Sequence, residues 1–277
     1  MPCSGGKNGS TISGRWCHTP RVSDRARSPG DGWVVSDLHL FARRSEGELL
    51  MEALLPQLRG ARLLVLNGDI VDFRWSTLSG HAETGRCARA WLGRLLASLP
   101  DCEVHYVLGN HDCLFGYSEE LESLGRECGR FHWHRLTLRL GHTLFLHGDC
   151  TQRRMSLADM EAYRDAWSRA DRRGRAASSA YRMADHLGLT RLVHRCHFPR
   201  GRTLRRLTHH LDDALVNWRA NIRHCYFGHT HEPFSDFLHE GVTYHNTGSA
   251  IHGMEFRPLR FAVYGSDVGR FNGEGNS

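Results

Sequence analysis

Side chains able to hold a metal ion recur at short polar tips along the chain: Asp37 and His39, then Asp69, Asn110, His147, and finally His229 with His231. The donors are carboxylate, imidazole and amide, with no thiolate among them. Such a set suits manganese, iron or magnesium-like ions better than a structural zinc. Asp69 stands at the centre of the pattern. It follows the apolar run Leu63-Leu64-Val65-Leu66 and a glycine, Gly68, that lets the backbone turn sharply. Its two oxygens allow it to bridge two ions. Two cations roughly 3.5–4 Å apart can clamp a phosphoryl group and lower the pKa of a water held between them. The chemistry expected is in-line attack of a metal-bridging hydroxide on a phosphate ester or pyrophosphate bond. His111, beside Asn110, is the natural acid for the leaving oxygen, and Asp72 can orient its ring.

These tips need elements to carry them. Trp33–Ser36 reads as a strand that ends in Asp37-Leu38-His39-Leu40; on an extended tip Asp37 and His39 point the same way. Leu49, Leu50, Ala53, Leu54 and Leu58 fall at helical spacing, and Gly60 ends that helix. The Asp69 strand follows, then a helix over 82–98 with Ala90, Trp91, Leu95 and Leu96 on one face, then a strand over Val104–Leu108. The first half is therefore βαβαβ, with its polar tips at the carboxyl ends of strands, where open α/β sheets build their sites. In the second half Leu136, Leu138 and Leu140 alternate with polar residues, and Gly141-His142 turns a hairpin into Thr143–Leu146 and the His147 tip. Residues 151–220 read as helical and basic. Met160, Tyr163 and Trp167 make one stripe; Leu204, Leu207, Leu211, Leu215 and Trp218 make another. Strands return at His224–Phe227, Val242–His245 and Arg260–Tyr264.

The chain has 277 residues, enough for a sizeable core, and its composition is that of an ordinary globular protein. It carries no long apolar run and no signal-peptide pattern, so a cytoplasmic protein is expected. The formal charge of +6 suits an anionic partner. Nearly every cation is arginine, which binds phosphate bidentately. Nine cysteines occur without C-x-x-C spacing, which argues against a zinc ribbon, and a disulfide framework is not expected. Cys113 and Cys150 follow the proposed ligand tips and are assigned to packing. Residues 1–32 read as a disordered arm, 33–265 as one domain with 151–220 inserted, and 266–277 as a flexible tail. Of the twenty histidines, His132, His134, His142, His209, His210 and His245 are assigned no ligand role.

The ordered motifs resemble those of the calcineurin-like metallophosphoesterases, whose pattern is D-x-H, G-D-x-x-D/E, G-N-H-D/E, a later H, and G-H-x-H. Here they stand as Asp37-Leu38-His39, Gly68-Asp69-Ile70-Val71-Asp72, Gly109-Asn110-His111-Asp112, His147-Gly148-Asp149 and Gly228-His229-Thr230-His231. The resemblance implies one metal on Asp37, His39, Asp69 and His231, and a second on Asp69, Asn110, His147 and His229. It also implies an α/β fold: a four-layer αββα sandwich of two mixed sheets with a helical lid insertion.

The Asp37-Leu38-His39-Leu40 tip, the His147-Gly148-Asp149 tip and the insertion also resemble the UDP-2,3-diacylglucosamine hydrolase branch of lipid A synthesis. There the insertion covers acyl chains at a membrane surface, and a pyrophosphate is split to release UMP. That implies a lipid-linked nucleotide substrate and a peripheral position on the inner membrane. Arg153, Arg154, Arg164, Trp167, Arg172, Arg173 and Tyr181 would suit an anionic headgroup there. Two features depart from that branch: His111, where it usually has Arg, and Asn246-Thr247-Gly248-Ser249-Ala250. Another phosphoesterase of the family therefore stays open: a phosphomonoesterase, a nucleotide phosphodiesterase or a nuclease. No DNA-binding module is apparent, which argues against nucleic acid. A non-catalytic scaffold on the same fold is the remaining alternative, and the complete ligand set argues against it.

Overall fold

The computed structural model describes residues 32–169 and 196–263. The strand β1 (Gly32–Val35) is followed by α1 (Gly47–Leu58), β2 (Leu63–Asn67), α2 (His81–Ser98), β3 (Glu103–Val107), α3 (Phe115–Glu127) and β4 (Phe131–His134). A hairpin of β5 (Thr137–Leu140) and β6 (Thr143–Leu146) comes next, then a short 3-10 turn over Asp149–Thr151 and α4 (Leu157–Ser168). After residue 196 come α5 (Arg200–Ala214), α6 (Trp218–Asn221), β7 (His224–Phe227), β8 (Phe234–His239), β9 (Val242–Asn246) and β10 (Leu259–Phe261).

The strands form two mixed sheets, ordered β10-β1-β2-β3-β4 and β5-β6-β7-β9-β8. In the first, β1 to β4 run parallel and β10 pairs antiparallel with β1. In the second, β6, β7 and β9 run parallel, with β5 and β8 antiparallel at the edges. Side chains alternate across each strand and so sort into layers. Leu63 and Val65 of β2 face the second sheet, where Phe145 and Tyr226 meet them, and Phe261 of β10 joins the same cluster from the first sheet. Leu64 and Leu66 face outward, against Met51, Leu54 and Leu58 of α1, Trp91, Leu92 and Leu95 of α2, and Tyr117, Leu121 and Leu124 of α3. On the far side Leu144, Leu146, Cys225 and Phe227 face outward against Met160 of α4, Leu204, Leu207 and Leu211 of α5, and Trp218. Because β2 is covered on both faces, all five of its residues are buried. The expected αββα sandwich of two mixed sheets is the fold that forms.

Several local expectations are corrected. The face that α1 buries is Met51, Leu54 and Leu58, while Leu49 is 68% exposed and Ala53 is exposed too. Ala90 is likewise exposed, and Ala88 and Leu92 join Trp91 in its place. The second leucine stripe is not one helix: α5 stops at Ala214, Asn217 takes a left-handed φ of 53°, and Trp218 begins a new turn. Gly32, assigned to the arm, pairs with Leu63 and Phe261 in β1. The rest of the arm, the tail over 266–277, Tyr264, Arg172, Arg173 and Tyr181 lie outside the described residues. The helix α3 and strand β4, absent from the βαβαβ reading, extend the parallel sheet by one more βα step.

The ends of the basic segment over 151–220 do structural work. A capping box of Ser156 and Asp159 starts α4. Leu204, Leu207 and Leu211 of α5 are fully buried against the second sheet. At about 2–5 kcal/mol for truncating each such leucine, this face is part of the fold's own outer layer. Among the described residues no helix is long and apolar enough to cross a membrane.

Candidate metal centre

The two sheets are tied together where their carboxyl ends meet. Asn67, the last residue of β2, donates from Nδ2 to the carbonyls of Leu146 (3.0 Å) and Tyr226 (3.2 Å), which belong to β6 and β7. That bond pair sets the tips of β1, β2 and β3 against those of β6 and β7. Further backbone bonds stitch tip to tip: Asp37 N to Gly68 O, His39 N to Asp69 O, and Gly228 N to His147 O.

The tips are not extended. Asp37, His39, Asp69, His229 and His231 all have positive φ, between 49° and 64°. Asp37 and His39 therefore converge through two left-handed residues and not through strand alternation, which corrects the expectation of an extended tip. A non-glycine residue in that region costs about 1–3 kcal/mol and persists only where its surroundings hold it. Here the bonds between tips do the holding. Gly68 turns with φ of 84°, and a Cβ there would strike the His147 ring.

Six of the seven expected donors fall into two close groups. Asp37, His39 and His231 offer ligand atoms within 4.8 Å of one another, as do Asp69, His147 and His229. His231 Nε2 lies 3.2 Å from Asp37 Oδ1 and 3.3 Å from His39 Nε2. Between the two groups sits Asp69 Oδ2, 3.2 Å from His147 Nε2 and 3.9 Å from His39 Nε2. The other oxygen of Asp69 accepts from the backbone N–H of His111 at 2.8 Å. Asn110 is buried on the adjoining tip, and its Oδ1 has no hydrogen-bond partner among the described residues. Asp72 stands between two imidazoles. Its Oδ2 takes His39 Nδ1 (3.2 Å), and its Oδ1 takes His111 Nδ1 (2.9 Å) and the N–H of Trp75 (2.9 Å). With both Nδ1 atoms committed as donors, the Nε2 atoms of His39 and His111 are left as the reactive ones.

The electrostatics call for cations. Burial raises the Asp37 carboxyl above its usual range, and the neighbouring Asp69 charge adds to that. Burial pushes Asp69 the same way, but His147 and His111 hold it well below the usual range. Burial would lower His147, yet Asp69 lifts it to about 10; the crowded carboxylates are drawing in positive charge. His229, buried and beside His147, falls to about 3. His111 is opposed by burial but raised by Asp72 and Asp69. Buried carboxylates, inward imidazole nitrogens and an orphaned amide oxygen together fit a pair of divalent cations.

Several supporting residues escaped the sequence reading. Asp112 accepts from Gly109 N (2.6 Å), Ile70 N (2.8 Å) and Tyr106 Oη (2.7 Å), and so fixes the Asn110 tip to the Asp69 tip. Ser36 donates to Asp37 Oδ2 at 2.5 Å and meets Thr247 at 2.6 Å. Gln152 joins His229 to His197, at 3.3 Å on each side. The D/E after G-N-H was legible as a motif position, but its burial was not; Ser36, Thr247 and Gln152 lie outside the motifs. Cys113 is half-buried, its thiol pushed up to about 12 by burial, and it donates to the Asn110 carbonyl; Cys150 is buried in the second core. Arg164 is 3% exposed and paired with Asp149, so it is not available to a headgroup. His245, stacked on Tyr226 at 4.3 Å and bonded to His224, lies outside the centre, as do His132 and His134.

A sequence model for the calcineurin-like phosphoesterases matches residues 33–233, which takes in every tip described above. A search among curated proteins finds no match to this chain. With the matched span covering most of its length and the donors converging on one point, the chain belongs to the calcineurin-like phosphoesterases, a family of metal-dependent hydrolases.

Proposed function

We propose that this centre hydrolyses a phosphate ester or pyrophosphate bond with two divalent cations, manganese in the first instance. Asp37, His39, Asp69 and His231 would hold one; Asp69, Asn110, His147 and His229 would hold the other. When bound, the pair supplies Lewis-acid chemistry, neutralising phosphoryl charge and acidifying a water. The chain's own residues do the rest. Asp72 fixes the tautomers of His39 and His111 through their Nδ1 atoms. His111 then carries a proton on Nε2 to the leaving oxygen; burial works against its charge, but Asp72 and Asp69 raise its pKa and so favour the protonated form. The observation that carries this reading is the position of Asp69 Oδ2, between the His39 and His147 nitrogens, where one carboxylate serves both sets.

Within that chemistry we assign a lipid-linked nucleotide, UDP-2,3-diacylglucosamine, cleaved to UMP and the lipid monosaccharide phosphate at a membrane surface. Support comes from the helical segment between the His147 and His229 tips and from the exposed Arg153 and Arg154 beside it. A different phosphoesterase substrate is the second reading, favoured by His111, which the lipid branch usually replaces with Arg. Incubation with manganese and UDP-diacylglucosamine, followed by product analysis, separates the two. UMP release supports the lipid assignment. Turnover of a nitrophenyl phosphodiester without UMP release supports the second reading, and no turnover of either overturns the enzyme reading.

A further inference from the structure

The last turn of α4 reaches the catalytic face. Its anchor is Arg164, whose Nε and Nη2 hold the two oxygens of Asp149 at 2.9 and 3.0 Å. Asp149 lies two residues beyond His147. Arg164 also donates to the Arg135 carbonyl, and its own carbonyl accepts from Cys113 Sγ at 3.5 Å. The helix is thereby docked between the His147 tip of one sheet and the Asn110 tip of the other. Residues three apart are neighbours on a helix, so fixing Arg164 fixes Trp167. The Trp167 indole lies 4.8 Å from the His111 imidazole, centroid to centroid, inclined at 47°. The Arg74 guanidinium stands 4.4 Å over the same indole.

We propose that Trp167 is a positioning residue for His111. The hydrogen bond from Nδ1 to Asp72 leaves the imidazole a hinge about which it can swing, because the terminal torsion of histidine is broad. The indole closes that hinge and keeps Nε2 aimed at the leaving oxygen. Through Arg164 and Asp149, the aim of the acid on one sheet is indexed to the metal-ligand tip of the other. The inference rests on His111 being the acid proposed above, and the test keeps the two apart.

The test uses the full chain saturated with manganese and two phosphodiesters, one losing p-nitrophenolate and one losing a poor, alkoxide-like leaving group that needs a proton. In Trp167→Ala, kcat on the poor leaving group is expected to fall about tenfold to a hundredfold, as small misplacements of reacting groups do. On the nitrophenyl ester it should fall less than about threefold, because general acid help matters little there. KM and bound manganese stay unchanged, and Trp167→Phe restores most of the loss. Trp167→Ala added to His111→Ala costs nothing further on the poor leaving group. Equal loss on both esters, or a loss that adds to that of His111→Ala, overturns the proposal and leaves Trp167 a packing residue. If His111→Ala itself slows both esters equally, the acid reading fails and the proposal falls with it. Should Trp167→Ala not fold, Trp167→Leu keeps bulk without the flat ring and carries the same comparison.

Discussion

Replacing Asp72 by Asn keeps the shape of the side chain and removes its charge. The direction of the damage can be worked out from its contacts. Oδ1 receives two donors, His111 Nδ1 and Trp75 N, whereas Oδ2 receives one, His39 Nδ1. An asparagine will place its carbonyl oxygen where two donors converge and turn its NH₂ toward His39. His39 must then present a bare Nδ1 and carry its proton on Nε2, the atom 3.3 Å from His231 that should hold the metal. Loss of such an outer partner typically weakens metal binding about 10- to 100-fold. His111 keeps its bond but loses the charge on the acceptor, a change of about 1 kcal/mol or more, so kcat at saturating metal falls roughly fivefold to tenfold. The pH profile gives an independent sign. Asp72 is one of the charges that raise His111. An acid works only while protonated, so activity is lost as pH rises through its pKa. In Asp72→Asn that pKa drops, and the alkaline limb moves to lower pH. Manganese titration with steady-state rates across pH measures all three. Metal affinity and kcat within twofold of the parent, with an unmoved alkaline limb, would refute the reasoning.

Other outcomes follow from the same contacts. Gly109→Ala drives a Cβ into the Asp69 carboxylate and should cost about a hundredfold or more in kcat, with the far-ultraviolet circular dichroism unchanged. Arg164→Met strands the buried Asp149 charge and should destabilise the fold by about 3–5 kcal/mol in urea titration; Asp149→Asn added to it should recover part of that. Arg164 holds the Asp149 carboxyl below its usual range against the pull of burial. Its stabilising contribution is therefore complete above the ordinary carboxylate pKa of about 4 and lost as pH falls further, so the double variant should show a shallower acid limb in thermal melts. Leu207→Ala should cost about 2–5 kcal/mol while leaving kcat of the folded protein unchanged, because α5 is outer layer and not catalytic machinery.

The seven proposed donors could be picked out because they sit on short polar motifs that follow apolar strands. Strand β2 announced itself by four apolar residues in a row, Leu63 to Leu66. What stayed hidden had weaker patterning. Helix α3 spreads Tyr117, Leu121 and Leu124 among glutamates and glycines, and β4 alternates Phe131 and Trp133 with histidines that read as polar yet lie against the buried His105. The left-handed tips were not read either: Asp and His enter positive φ more readily than most residues, but far less distinctively than glycine. Trp167 and Arg164 looked alike as candidates for a headgroup. Only the distance to His111 and the pairing with Asp149 separate a positioning ring from a buried brace.

The claim on which the rest depends is that Asp69 is shared between two cations. Electron paramagnetic resonance of the manganese-loaded chain tests it most directly. A carboxylate held in common should give the spectrum of an exchange-coupled manganese pair, lost in Asp69→Asn; isolated single-ion signals in the parent chain, or a coupled pair that survives in that variant, would contradict the account.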